Sequence, residues 1–229
     1  MPIMIGRDKK NLFTIDLIIT IILFGLEYIP MDKKIKNHLK QKDPILYSWI
    51  LKIELEEHKP SEDLFTALCE DIISQQLSGK AADTIFGRFI KLFPRQKVIP
   101  QALLRLSDEK IRSCGTSWAK IKSLKDLAHK VSSKELDLDH LKNLSDDKII
   151  HELIKVKGIG PWTAEMFLMF SLGREDVFSH GDLGLRNGIK KVYGFKKDPT
   201  KKQIDTIVKK WSPYRTYASR ILWKSLLLQ

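Results

Sequence analysis

Asp182 is a carboxylate whose neighbours in the sequence would hold it in one place. It follows Gly181 and precedes an amphipathic stretch, Leu183 to Tyr193, whose apolar spacing predicts a helix. An aspartate there is typical of a helix N-cap, where the side chain accepts a hydrogen bond from the first turn. The same rigid placement suits a catalytic carboxylate held at the mouth of a helix. The two roles are compatible, and the residue taken alone favours the N-cap.

A glycine-rich turn precedes Asp182 in the chain. Residues 157–161 read Lys-Gly-Ile-Gly-Pro, which predicts a tight turn between a helix ending near Val156 and a helix beginning at Pro161. The free N–H groups of the second helix would point out of this turn and attract an anion such as a phosphate. The alternative is a plain helical hairpin whose glycines serve only its turn.

The chain is strongly basic. Among its 229 residues are 40 lysines and arginines against 28 aspartates and glutamates, which gives a net charge of +12. Such an excess favours a polyanionic partner, nucleic acid first and an anionic membrane surface second, although many proteins are basic without one. The two cysteines, Cys69 and Cys114, lack the C-x-x-C spacing of zinc or iron–sulfur sites. We expect two ordinary thiols in a reducing compartment.

The elements that must position these residues are helices. Apolar residues recur at helical spacing almost throughout the chain after Met31, and the alternation of strands is hard to find. Thr200 and Gln203 have the spacing of a capping box, and Ser212-Pro213 has the composition of a helix start. The predicted fold class is all-α.

Several ordered motifs, taken together, resemble one family. They are Ile73-Ser74-Gln75-Gln76-Leu77-Ser78, Gly160-Pro161-Trp162-Thr163-Ala164, Asp176-Val177-Phe178, Asp182-Leu183-Gly184 and Trp211-Ser212-Pro213-Tyr214-Arg215-Thr216-Tyr217-Ala218. With the hairpin, they make residues 32–229 resemble the helix–hairpin–helix (HhH-GPD) DNA glycosylase superfamily. Within it they resemble the 3-methyladenine DNA glycosylase II, or AlkA-type, branch, in the short form without an N-terminal β domain.

The resemblance implies two helical subdomains with an active-site cleft between them and the hairpin at the cleft mouth. Residues 32–60 would join residues 180–229 in one subdomain, and residues 61–179 would form the other, ending in the hairpin. Residues 1–30 lie outside the resemblance. We interpret them as an extension upstream of a true start at Met31, the alternatives being an extra packed helix or a weak membrane anchor.

The resemblance also implies a reaction. A monofunctional DNA glycosylase of base excision repair would flip an alkylated purine, of the 3-methyladenine or 7-methylguanine type, out of the duplex and release it hydrolytically. Asp182 would be catalytic, and Trp162 occupies the position of the lysine nucleophile of bifunctional relatives, so an intact abasic site would remain. The alternatives are a glycosylase for another damaged base, or a helix–hairpin–helix DNA-binding module without activity.

Further site residues follow from the resemblance alone. The base pocket would contain Trp162, Met166, Leu183 and Trp223, although both tryptophans could instead be core residues. DNA contacts would come from Lys157, Gly158, Ile159, Gly160, Gln75 and Gln76, with Ser117 or Trp118 filling the gap left by the flipped base. A monovalent cation would be held by the backbone carbonyls of Ile154, Val156 and Ile159.

No cofactor is expected to be required, and no iron–sulfur cluster is expected because no cysteine follows Cys114. The expected partner is double-stranded DNA containing damaged bases. We expect no membrane partner, a monomer, and a cytoplasmic location, associated with the nucleoid in a prokaryote.

Overall fold

A computed structural model describes residues 31–53, 55 and 59–228 of the chain. Throughout this part the chain is helical and forms no β-strand, so the predicted all-α class is confirmed. The segment 1–30, with its predicted upstream extension, lies outside the described residues. No helix in the described part is both long enough and apolar enough to cross a bilayer.

The described helices are numbered here in chain order. They are α1 Lys33–Lys42, α2 Pro44–Ile50, α3 Leu64–Ser74, α4 Gly79–Ile90, α5 Pro100–Arg105, α6 Asp108–Arg112, α7 Trp118–Ser132, α8 Leu138–Leu141, α9 Asp146–Leu153, α10 Pro161–Met166, α11 Leu183–Val192, α12 Lys201–Val208 and α13 Arg215–Ser225. A π-helical turn, Phe167–Ser171, continues α10, and 3₁₀ turns cover Pro94–Gln96 and Lys209–Trp211.

The helices pack in two sets. In one set, which we call the flanking set, α2 and α11 pack with α13, and α1 packs on α2 and on the 3₁₀ turn that follows α12. In the other, the central set, α3 packs on α4 and α7, α5 and α6 pack on α7, and α9 packs on α10. Asp182 begins α11 of the flanking set, while the hairpin joins α9 to α10 of the central set. The subdomain boundaries inferred from the resemblance stay a prediction.

Local capping signals account for several helix boundaries. Thr200 and Gln203 form the predicted capping box at the start of α12, with backbone and side-chain bonds in both directions. The predicted start of the last helix at Pro213 is wrong, because α13 begins at Arg215. Ser212 does not cap it, since its hydroxyl donates to Asp176, 2.7 Å away.

A buried carboxylate joins the first helices of the chain to its last third. Asp43 is only 1% exposed and caps α2 by accepting from the backbone N–H of Leu46. Its Oδ2 accepts from the Tyr193 hydroxyl at 2.6 Å and from Trp211 Nε1 at 3.1 Å. Burial, and secondarily the bond to Asp43, raises the pKa of Tyr193, so this hydroxyl stays a donor.

Removing the Tyr193 hydroxyl therefore tests this junction. We expect Tyr193→Phe to lower the free energy of unfolding by about 2 kcal/mol, the scale for a hydrogen bond to a buried charged group. Tyr47→Phe removes a hydroxyl for which the described part of the chain provides no bond, and should leave stability within about 0.5 kcal/mol. Denaturant unfolding of both variants gives the comparison. Equal free energies of unfolding in the two variants would mean that the hydrogen bond from Tyr193 to Asp43 does not contribute to stability.

Candidate active site

Asp182 is a buried N-cap. Its backbone has φ −76° and ψ 119°, and its Oδ1 accepts from the backbone N–H of Leu185 at 2.7 Å, as the sequence predicts for the start of α11. The residue is 1% exposed. A carboxylate so fully removed from water needs hydrogen-bond donors from the protein to remain charged.

Two indole groups supply those donors. Trp162 Nε1, on α10, donates to Asp182 Oδ2 at 2.6 Å, and Trp223 Nε1, on α13, donates to Oδ1 at 3.1 Å. Trp223 is buried, whereas Trp162 is half-buried. Three separate helices thus meet at one carboxylate, and two predicted pocket residues lie in direct contact with the predicted catalytic residue.

A close approach of two helices allows Trp223 to reach Asp182. A Cβ atom at Gly188 of α11 would lie 2.8 Å from Leu222 Cβ and 2.9 Å from the Leu222 carbonyl oxygen. Only a glycine permits α11 and α13 to come this near, and Trp223 is the residue after Leu222. The absence of a side chain at Gly188 therefore brings Trp223 within reach of Asp182.

A second carboxyl group holds the turn that leads into Asp182. Ser179 is completely buried, and its hydroxyl donates to Glu165 Oε2 at 2.5 Å. Its carbonyl accepts from the backbone N–H of Asp182 at 3.2 Å. Burial raises the pKa of Glu165, and the Ser179 bond opposes this shift. Glu165 and Trp162 lie on the same helix, so α10 contacts both ends of the turn.

The hairpin before α10 has the predicted geometry. Gly158 has a φ of +79°, a conformation that favours glycine, and a Cβ there would collide with the Ser123 hydroxyl on α7. The Lys157 backbone N–H donates to Asp126 Oδ2 at 2.9 Å, also on α7. The N–H groups of Gly158 and Gly160 have no partner in the described part of the chain and are free for an anion.

Gln75 connects the end of α3 to this hairpin. Its Nε2 donates to the Gly158 carbonyl at 2.9 Å and to Thr163 Oγ1 at 3.2 Å. Lys120 on α7 donates in turn to the carbonyls of Gln75 and Ile73, at 2.6 and 2.7 Å. Burial lowers the pKa of this lysine. The two side chains fix the end of α3, the start of α7 and the hairpin to one another.

The remaining predicted DNA-facing residues differ in exposure. Gln76 is exposed and has a positive φ of 57°. It directly follows Gln75, whose side chain is hydrogen-bonded to the hairpin. Trp118 is 51% exposed at the first position of α7. Ser117 caps α7, since its hydroxyl accepts from the Lys120 backbone N–H. Lys157 is exposed and Ile159 is buried.

The other predicted pocket and cation residues lie close to the same centre. Met166 is buried at the end of α10, and Leu183 is half-buried directly after Asp182. Of the three predicted cation-binding carbonyls, that of Val156 already accepts from the Ile159 N–H at 3.1 Å. Ile154 is the C-cap of α9. No group of three or more acidic, histidine or cysteine side chains in the described residues is arranged to hold a metal ion.

Several supporting residues were not anticipated from the sequence. They are Ser123, Asp126, Lys120, Glu165 and Ser179. Glu165 could have been identified from the sequence, because it is a charged residue within an otherwise apolar stretch. The contacts of the other four depend on which helices meet, and no local pattern marks them.

Comparisons with known proteins give a consistent family. Residues 69–213 match the HhH-GPD superfamily of base excision DNA repair proteins. DNA-3-methyladenine glycosylase 1 of Schizosaccharomyces pombe is 38% identical over 173 residues, which cover 75% of this chain and 74% of that protein. DNA-3-methyladenine glycosylase of Saccharomyces cerevisiae is 32% identical, over 82% of this chain and 77% of that protein.

Solved structures agree with these sequence matches. A DNA-3-methyladenine glycosidase from Bacillus halodurans superposes with a TM-score of 0.75 at 39% identity, covering 87% of this chain and 92% of that one. The 3-methyladenine DNA glycosylase of Schizosaccharomyces pombe, in complex with abasic DNA, has a TM-score of 0.75 at 32% identity. That superposition covers 86% of this chain and 98% of the other.

The fit of Gly158 against α7 generates a prediction. Gly158→Ala should lower the free energy of unfolding by about 2 kcal/mol or more, because a left-handed conformation costs about 1–2 kcal/mol in a residue with a Cβ and the methyl group also meets Ser123. Gly181→Ala is the matched control, since its Cβ would meet nothing within 4 Å. The free energies of unfolding of the two variants, measured by denaturant unfolding, test this prediction. Equal stabilities would show that the hairpin is not held against α7 as described.

Proposed function

Because the chain belongs to the HhH-GPD superfamily of base excision DNA repair proteins, we propose that it is a monofunctional DNA glycosylase that releases alkylated purines from double-stranded DNA. The observation that carries this proposal is the buried Asp182 carboxylate beside the hairpin, held by two tryptophans and a helix N-terminus. The names of its relatives support 3-methyladenine and similar bases as the substrate class.

Asp182 would act on the sugar. As the bond between the damaged base and C1′ lengthens, positive charge develops on the deoxyribose, and a fixed carboxylate stabilises that charge. Two donors occupy Asp182 Oδ1 and one occupies Oδ2, so Oδ2 keeps one acceptor position. That position can hold the attacking water and accept its proton. Of the three donor residues only Trp162 is partly exposed, so the nucleotide would approach from its side.

Water would be the nucleophile. The position that carries a lysine in bifunctional relatives is Trp162, whose only polar hydrogen is donated to Asp182. An indole cannot form a Schiff base with the sugar. The product would then be a free base and an intact strand with an abasic site.

The substrate preference would come from charge and from aromatic surface. Alkylation at a purine ring nitrogen leaves a cation, which is attracted to the face of a tryptophan ring and is also a better leaving group. Trp162, with its half-buried ring, is the residue best placed to stack on such a base. Leu183, Met166 and Trp223 would complete the pocket around it. The assignment of the chain to the 3-methyladenine DNA glycosylase II branch rests on the resemblance of its sequence motifs.

DNA would be held mainly through backbone contacts at the hairpin. The free N–H groups of Gly158 and Gly160 suit one phosphate, and a monovalent cation on the carbonyls of Ile154, Val156 and Ile159 would strengthen that contact. These are hard oxygen ligands, and an additional lone pair on Val156 remains available. No other cofactor is required.

The gap left by the flipped base needs an exposed side chain. The 51% exposure of Trp118 makes it a better candidate than Ser117, whose hydroxyl caps α7. Gln76 lies exposed at the end of the neighbouring helix and would face the same strand region. We propose that the enzyme acts on the duplex as a monomer.

Asp182→Asn tests the proposal. An amide carries no charge and offers one oxygen where two now accept, so the transition state should lose its electrostatic partner. We expect single-turnover base release from methylated duplex DNA to fall by about 100-fold or more. DNA affinity should be kept or increase, because a negative charge near the phosphates is gone.

Asp43→Asn is the matched control. It removes the same charge from a buried N-cap that also accepts from an indole, but at the other end of α11, a helix about 15 Å long at 1.5 Å per residue. Both variants should lose about 1–3 kcal/mol of stability, since each leaves a donor unpaired. Only Asp182→Asn should lose base release. Similar rates in the two folded variants would refute the catalytic role of Asp182.

A further inference from the structure

Most of the net positive charge of the chain lies outside the segment that contains the hairpin. Residues 31–60 and 180–229 contain 19 lysines and arginines against 8 aspartates and glutamates, a net +11, whereas residues 61–179 contain 18 against 17, a net +1. The central set, which includes the hairpin, is therefore nearly neutral. Almost all of the net charge of +12 belongs to the part of the chain that forms the flanking set.

Six exposed lysines of the flanking set form what we call the lysine face. They are Lys34, Lys42, Lys201, Lys202, Lys209 and Lys210. Helix α1 packs on the 3₁₀ turn after α12, where His38 Nε2 lies 3.3 Å from the Lys210 carbonyl oxygen. Lys34 and Lys42 are one helical turn before and after His38, so they share its side of α1.

The lysines of this face form no salt bridge with a described residue, although the exposed Asp205 lies between Lys201 and Lys209 on the same side of α12. No carboxylate in the described residues lies within salt-bridge distance of any of its six ammonium groups. Salt bridges to a nearby aspartate or glutamate are made by Lys125, Lys130 and Lys155 in the central set and by Lys190 in the flanking set. Exposed, unpaired cations that lie close together repel one another unless an anionic partner neutralises them.

The face adjoins the segment that enters the active site. His180, two residues before Asp182, lies 3.5 Å from Asp205 Oδ1 on α12, measured from its Nδ1. Asp205 is one helical turn after Lys201 and one before Lys209, so these side chains follow one line along α12. Phe178 also packs on Trp211, with ring centroids 5.9 Å apart. Helix α12, at Asp205, and the turn that follows this helix therefore lie beside the segment that leads into Asp182.

We propose that the lysine face binds phosphates of the duplex that flanks the damaged nucleotide, and that it supplies most of the electrostatic affinity for DNA. This inference rests on the proposed function. The hairpin would position one phosphate by directional N–H contacts, while the lysine face would supply the charge that attracts the duplex.

The test is the salt dependence of DNA binding. In the full chain, Lys201, Lys202, Lys209 and Lys210 are changed together to Gln, and the Kd for a duplex with a stable abasic analogue is measured between about 50 and 200 mM salt. Each lost phosphate contact reduces the steepness of the negative slope of log K against log salt by about 0.9, so the loss of four contacts should make the slope less steep by about 3.6. Changing only Lys209 and Lys210 should give about half of this reduction.

A control variant removes equal charge elsewhere. Lys97, Lys134, Lys142 and Lys148 line two surface grooves of the central set together with carboxylates such as Glu135 and Asp137. Changing these four to Gln should alter the slope by less than about 1, although the net charge falls equally. Thermal melts verify that all variants fold.

Two results would overturn the inference: a wild-type slope in the lysine-face variants, or equal reductions in the lysine-face and control variants. The second would mean that net charge alone sets the affinity. Failure of the proposed function is scored separately, by base release from methylated DNA. If the protein releases no base but the variants show the predicted slopes, the lysine face is a DNA-binding surface and the proposed glycosylase function is wrong.

Discussion

The burial of one charge constrains the rest of this structure. A carboxylate that is 1% exposed is not hydrated by solvent. Burying its charge is costly unless the protein supplies hydrogen bonds in place of water. Asp182 receives them from Leu185, Trp162 and Trp223, which come from different parts of the chain. The helices that carry these donors must therefore meet at one point, and Gly188 permits the close approach of α11 and α13.

The two functions that a glycosylase needs are supported by different kinds of interaction. Around Asp182 the contacts are short, buried and directional, which suits the stabilisation of a developing charge without reorganisation. On the outside, the hairpin offers backbone N–H groups held in place by Asp126 and Gln75, and the flanking set offers unpaired lysines. We therefore expect chemistry and affinity to be separable by substitution, because the residues proposed for them do not overlap.

From its local patterns the sequence predicts local structure only, whereas the grouping of Trp162 and Trp223 in one pocket follows from the family resemblance. The N-cap at Asp182 and the capping box at Thr200 depend on residues within one helical turn, and the structure has both. The indole bond from Trp223 to Asp182 joins residues 41 positions apart, and the clamp from Lys120 to Gln75 spans 45. The spacing of apolar residues along the chain does not indicate contacts between residues so far apart in the sequence. Ser212-Pro213 failed as a helix start because Ser212 bonds to the distant Asp176 instead.

The most direct measurement of the central claim is product stoichiometry on duplex DNA treated with a methylating agent. Free bases are separated by chromatography, abasic sites are titrated with an aldehyde-reactive probe, and strand breaks are counted on denaturing gels. The account predicts methylated purines as the free bases, one abasic site for each base released, and strands that remain intact until alkali is added. Release of no base, or strand cleavage by the enzyme itself in step with base release, would contradict it.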